Sequence, residues 1–298
     1  MAEIIQRDGT WAFDGTTVRI TPGLHRSVAL LRQTYGEIDV PLTAVAGVAY
    51  EPERKRGRLR LTLREASDPL LQATGGRLPD TADPYRLTVD ADRSGVAEYV
   101  AEEIRQALLL EQLPPGPADS YLVPGPAVPV SVRSSDGLVS FDGSRVRIDW
   151  SETSDRVKRS TGPRVIALDD LDEVEWVPNS GYEDGVMRFI PKGSPHSKDS
   201  PHSKGSPHSK LPAEKDPYAL DLWGNARKDL LTALVAAAVT ARLPHPSAPR
   251  GTPPLLPRRA DHDVLLRRLR ELGELHRSHV LTDEEFAATK RAVLRDFR

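Results

Sequence analysis

The sequence predicts an α+β protein: two tandem copies of one domain, each of antiparallel strands plus a closing helix, followed by a two-helix hairpin. Three observations predict it. Residues 8–20 (DGTWAFDGTTVRI) and 136–148 (DGLVSFDGSRVRI) agree at eight of thirteen positions with a constant offset of 128. A period that long marks a duplicated domain, not a short solenoid unit. Within each copy, short runs alternate apolar with polar residues and a final segment repeats apolar residues at helical spacing. Residues 261–298 match neither copy and carry their own helical pattern.

The elements follow in order. Trp11 and Phe13, with Val139 and Phe141 in the second copy, mark the inward face of the first strand. Asp14-Gly15 and Asp142-Gly143 are hairpin pairs, because Gly tolerates the positive φ such turns need. The VRI that follows begins the return strand, and a less regular strand comes next. Residues 40–52 (VPLTAVAGVAYEP) then match 166–178 (IALDDLDEVEWVP), aligning Val40 with Ile166, Val48 with Val174 and Tyr50 with Trp176. GRLRLTL (57–63) corresponds to GVMRFIP (185–191), and DPYRLTV (83–89) to DPYALDL (216–222). Leu59, Leu61 and Leu63 alternate with Arg58, Arg60 and Thr62, the pattern of a half-buried strand. Asp83 and Asp216 read as turns leading into the last strand. The closing helices span 93–110 and 225–243. Val96, Val100, Ile104 and Leu108 form one apolar stripe on the first. The second is apolar on more than one side (Leu230, Leu231, Leu234, Val235, Val239), which predicts deeper burial or a role covering the other copy.

Proline divides the chain. Residues 111–130 hold six prolines and 244–257 six more, read as semi-extended spacers. The expected organisation is a first repeat at 1–112, a linker at 113–130, a second repeat at 131–243, a linker at 244–260 and the hairpin at 261–298. In the second repeat, 193–210 is three tandem SPHSK units without an apolar face, expected to be a disordered loop. It falls where the first copy has a polar loop, 66–82. His196, His202 and His208 sit six apart there, a spacing that preforms no metal site.

The C-terminal hairpin places Leu265, Leu269, Leu272 and His276 on one face of its first helix. Thr282 caps the second helix, with Glu285 completing a capping box. Phe286, Thr289, Val293 and Leu294 form its buried stripe. So short a unit buries too little surface to stand alone and must pack on a partner or on copies of itself. Leu269, Leu272, Leu275, the LTDEEF run (Leu281 to Phe286), Lys290 and Leu294 resemble the SHOCT family, the short C-terminal domain of many bacterial proteins. Members often have Gly shortly before that run, where this chain has Arg277-Ser278-His279. The resemblance implies oligomerisation or partner binding through Leu265, Leu269, Leu272, Leu281, Phe286, Val293 and Leu294. With that tail, the paired FDG-x-x-V motif is similar to an actinobacterial domain of unknown function, catalogue number 4429. Strands followed by one closing helix in a domain of this size also resemble the pleckstrin-homology (PH-like) architecture, an analogy of fold that does not fix function.

Composition narrows the function. The net charge is −2 and there is no cysteine, so nucleic-acid binding, disulfides and thiolate metal sites are not expected. No signal peptide or spanning apolar run is apparent, so a soluble cytoplasmic protein is expected. There is no GxSxG, HExxH, P-loop or dinucleotide fingerprint. No enzyme, cofactor or metal is expected. The acidic run Asp169, Asp170, Asp172, Glu173 and Glu175 alternates with apolar residues and reads as a solvated strand face.

Basic clusters are the better candidates. Arg156, Lys158, Arg159 and Arg164 lie in an expected inter-strand loop, and Arg54, Lys55, Arg56 and Arg58 in an expected hairpin. In PH-like domains such loops grip anionic headgroups, so Arg54, Lys55, Arg56, Arg156, Lys158, Arg159 and Arg164 are candidate anion- or lipid-binding residues. The expected function is a non-enzymatic intracellular scaffold that self-associates as a homo-oligomer and presents paired domains to a protein partner. The alternative is a peripheral adaptor on the anionic inner face of the membrane.

Overall fold

The structure is a computed structural model that describes residues 1–113, 116–194 and 211–248. The hairpin residues Leu265, Leu269, Leu272, Leu281, Phe286, Val293 and Leu294 lie outside the described residues, as do His196, His202 and His208. Copy one contains β1 (Ala2–Gln6), β2 (Gly9–Phe13), β3 (Thr17–Pro22), α1 (Leu30–Tyr35), β4 (Ile38–Pro41), β5 (Val45–Glu51), β6 (Arg56–Leu63), α2 (Pro69–Thr74), β7 (Arg86–Asp90) and α3 (Ser94–Glu111). Copy two contains β8 (Val130–Arg133), β9 (Gly137–Phe141), β10 (Arg145–Trp150), α4 (Arg156–Thr161), β11 (Arg164–Ala167), β12 (Leu171–Val177), β13 (Gly185–Pro191), β14 (Ala219–Leu222), α5 (Ala226–Asp229) and α6 (Thr232–Thr240). Each copy is a four-stranded antiparallel meander and a three-stranded one, β1 to β4 with β5 to β7, and β8 to β11 with β12 to β14.

The repeated sequence produces repeated register. Trp11 lies opposite Ile20 and Phe13 opposite Val18; Val139 lies opposite Ile148 and Phe141 opposite Val146. All eight are buried. Along β6, Leu59, Leu61 and Leu63 point inward while Arg58, Arg60 and Thr62 face out. The outer strands β1 and β8 escape the sequence reading. In β1 the buried Ala2 and Ile4 are followed by an exposed Ile5, which hides the alternation.

The closing helices differ, for a reason lying in copy one. On α3 only Ala97, Val100, Ala101 and Ile104 are fully buried, a single stripe against β5 and β1. Every residue of α6 is buried. One side of α6 packs on β8, β9 and β12 of its own copy, and α2 of copy one covers another. Leu31, Leu70, Ala73 and Leu78 of copy one thereby join the core of copy two. Met1–Ala248 is accordingly one compact unit.

The helix α2 replaces the polar loop expected at 66–82. Asp68 caps it, accepting from the amides of Leu70 (2.9 Å) and Leu71 (3.2 Å). Pro69 occupies its first turn and Gly75 ends it in the left-handed conformation. This Asp-Pro start and Gly stop were readable in SDPLLQATG. In the segment expected as a spacer, 113–130, the described residues 116–130 are no free linker. Ala118 donates to Glu65 O (2.8 Å), and Leu122 and Val123 both donate to Ser67 O. Tyr35 Oη donates to Pro124 O (3.1 Å), and Val123 is 1% exposed in the core of copy one.

Asp68 makes this junction sensitive to pH. Burial pushes its carboxyl up to about 6, against the lowering effect of the Leu70 and Leu71 amides. The folded state therefore holds the proton more tightly than the unfolded chain, with its ordinary value of 3.8. The resulting stabilisation is complete below 3.8 and lost as pH rises through about 6. Asp68→Asn keeps the cap without the titration. The stability of the native protein relative to this variant should fall by on the order of 2–3 kcal/mol between pH 4 and pH 7. Urea unfolding of both at each pH measures it, and a constant difference refutes it.

Candidate functional site

The two DG pairs of each copy do different work. The second pair is the hairpin turn. Asp14 Oδ1 accepts from the Thr16 amide, the Thr16 hydroxyl and the Thr17 amide at 2.8, 2.9 and 2.8 Å. Asp142 repeats this with Ser144 and Arg145. Gly15 and Gly143 both sit at φ 107°. The backbone hydrogen bonds hold both carboxyls below the usual carboxylate range.

The first DG pair is an electrostatic centre. Asp8 and Asp136 each reach the last strand of their copy and the short helix before the fourth. Asp8 Oδ2 accepts from the Thr88 amide of β7 (3.1 Å) and lies 3.5 Å from Arg32 Nη1 of α1. Asp136 Oδ2 accepts from the Asp221 amide of β14 (2.9 Å) and from Lys158 Nζ of α4 (2.5 Å). Arg32 and Lys158 occupy equivalent positions, the third residue of α1 and of α4. The glycine beside each aspartate admits a close approach: a Cβ on Gly9 would lie 2.9 Å from Thr21 O, and one on Gly137 2.4 Å from Asp149 O.

Sequence reading missed this centre. Its signal is the exact recurrence of Asp8 and Asp136 together with a cation 24 residues past the first and 22 past the second. The unequal spacing and the change from Arg to Lys conceal it.

The copies have diverged around the shared ion pair. In copy two the pair is sealed, with side chains 0% and 2% exposed. Lys158 Nζ also donates to Ala219 O (2.9 Å) and lies 4.9 Å from the centre of the Trp150 ring. Burial, with the Asp136 charge adding, pushes the Asp221 carboxyl beside it up to about 6. In copy one Asp8 and Arg32 line a cleft of about 360 Å³. Its walls include Arg7 from the β1–β2 turn, Arg56 and Arg58 from β6, and Arg86 from β7.

The basic candidates thus separate. Lys158 is corrected: it is the buried half of an ion pair and presents no charge to a lipid. The expected loop around it is helical, because Asp155 caps α4 by accepting from the Val157 amide. Arg156 and Arg159 are exposed, Arg159 Nε donating to Ser154 O. Arg164 stacks its guanidinium 4.1 Å from the Tyr218 ring centre. Arg54 and Lys55 stand exposed at the β5–β6 tip, and Arg56 reaches the cleft. Among the described residues, no cluster of three or more His, Asp or Glu has the arrangement of a metal site. Nor, among those residues, is any helix long and apolar enough to cross a membrane.

Fold and centre together define a two-copy α+β protein whose domains each tie a short helix to a sheet edge through an aspartate, buried in copy two and part-exposed in copy one. The chain belongs to the family described as domain of unknown function (DUF4429), whose model matches residues 11–105 and again 139–240. The two matches correspond to the two copies. No curated protein is matched by the chain.

Proposed function

We propose that this protein is a non-enzymatic cytoplasmic scaffold, in which residues 1–248 are a rigid platform of two PH-like domains and residues 261–298 are a SHOCT-like hairpin that self-associates. The observation that carries this reading is the joint core, in which α2 of copy one covers α6 of copy two. It holds the outer surfaces of both copies in one geometry, as a docking platform requires. Seven strands in two meanders with a closing helix, present twice, support the PH-like assignment. Linking such platforms through a self-associating tail raises the effective concentration of each weak site and gives avidity without new contacts.

Light scattering on the full chain and on a chain ending at residue 260 tests the assembly. The full chain should have the mass of an oligomer and the truncated chain that of a monomer. Equal numbers of subunits in the two would eliminate self-association through the hairpin.

A further inference from the structure

The cleft of copy one carries more positive charge than its own carboxylates neutralise. Five arginines line it against three aspartates, Asp8, Asp80 and Asp90; with Arg58 and Arg86 paired to carboxylates, Arg7, Arg32 and Arg56 face only Asp8 and Asp90. Two of the arginines are committed: Arg58 to Glu53 at 2.6 Å, and Arg86 to Asp80 and Asp83 at 2.8 and 3.0 Å. The other three are held more loosely. Arg56 meets Asp90 only at 3.4 Å, with both side chains more than half exposed. Arg7 Nη2 donates to His25 Nε2 and, among the described residues, pairs with no carboxylate.

Arg32 is the decisive residue. It is 4% exposed and reaches Asp8 through Nη1 alone, while its Nε and Nη2 are buried without a hydrogen-bond partner among the described residues. A buried donor left unmade is destabilising, the more so where the group is charged. The equivalent Lys158 has no such deficit, since a carboxylate, a carbonyl and an aromatic ring surround its ammonium. At this equivalent position only copy one has an unsatisfied cation, and it lies where copy one has a cleft.

We propose that this cleft binds a small anion through a phosphoryl group, with Arg32 at its base and Arg7 and Arg56 at its rim. The planar fork of a guanidinium matches the oxygens of a phosphate and donates to two at once. A phosphomonoester offers three strong acceptor oxygens where a carboxylate offers two, enough to take donors from Arg32 and both rim arginines. A volume of about 360 Å³ accommodates more than the phosphoryl group itself. The same chemistry is offered by a free phosphomonoester and by a phosphomonoester lipid headgroup.

Titration calorimetry of the full chain with glycerol 3-phosphate tests the first source. Flotation with phosphatidylcholine vesicles containing phosphatidic acid tests the second. Arg7→Gln with Arg56→Gln removes two exposed rim charges and leaves the buried ion pair intact, so the fold is kept. It should weaken binding at least tenfold, and Arg32→Met should abolish it. Arg54→Gln with Lys55→Gln, at the neighbouring hairpin tip, should change binding less than twofold. Binding of glycerol 3-phosphate assigns a soluble ligand, and binding of the vesicles alone assigns a headgroup. Binding of neither overturns the proposal, as does binding that Arg7→Gln with Arg56→Gln leaves unchanged.

Discussion

Lys158→Met should destabilise the protein by about 3–5 kcal/mol, because it leaves the Asp136 carboxylate buried without its cation. The replacement fills a similar volume, so the loss reports charge and not packing. Both side chains of the pair are almost fully buried, and the ammonium also holds the Ala219 carbonyl. Three separate elements are therefore loosened together: the turn before β9, the helix α4 and the strand β14. Adding Asp136→Asn removes the stranded charge and should recover part of the loss, a coupling of about 1–3 kcal/mol between neighbours in one network. Arg32→Met in copy one should cost less, since Asp8 is 23% exposed and its carboxylate stays in reach of water. Urea unfolding of these three variants and of Asp136→Asn alone measures all of this. A loss below about 1 kcal/mol for Lys158→Met would show that the pair is no more than a solvent-screened contact.

That variant also shows where the sequence was legible and where it was not. The strands were, because a face buried on one side forces alternation, and Leu59, Leu61 and Leu63 display it against three polar neighbours. The duplication was, because Asp14-Gly15 and Asp142-Gly143 serve the same turn and both needed the same two residues. Charge was not. Lys158 reads as one of four cations in a basic stretch, and nothing in RVKRSTGPR shows which of them turns inward. The answer lies in Asp136, 22 residues earlier, and in Ala219, 61 residues later. An ion pair with partners that far apart leaves no local pattern. The cleft was illegible for the same reason: Arg7, Arg32, Arg56 and Arg86 come from four separate elements or turns.

Divergence between the copies follows a physical logic. Both inherited an aspartate that bonds an amide of the last strand and faces a cation on the short helix. A flexible ammonium can be surrounded completely, and in copy two it is, by Asp136, Ala219 O and Trp150. A planar guanidinium presents donors along several edges, and one carboxylate cannot satisfy them all. Copy one therefore retains an unfilled binding edge where copy two has a closed structural contact. The first is available for a ligand, and the second secures the domain that copy one's helix also supports.

The second large effect is expected at that support. Leu70→Ala should destabilise the protein by about 2–5 kcal/mol, the range for removing a fully buried leucine side chain that its surroundings cannot replace. Leu70 is 0% exposed and belongs to the core of copy two although copy one encodes it. The surroundings are poorly able to collapse on the cavity. Asp68 fixes the start of α2, Gly75 its end, and the chain passing at Gly125 leaves no room, since a Cβ there would lie 2.8 Å from Ala241 Cβ and 3.3 Å from Pro69 Cγ. Among the helices and strands, α2 supplies the most extensive packing on α6, and the nine residues of α6 include only two polar ones, Thr232 and Thr240. Copy two should therefore not melt independently of copy one. The native chain should show a single thermal transition in calorimetry, and Leu61→Ala, in copy one's own core, should lower that same transition. Leu70→Ala should lower it too while weakening the coupling between the copies, so that copy two begins to unfold first. Two separate transitions in the native protein would mean that α2 rests on α6 without holding the copies together.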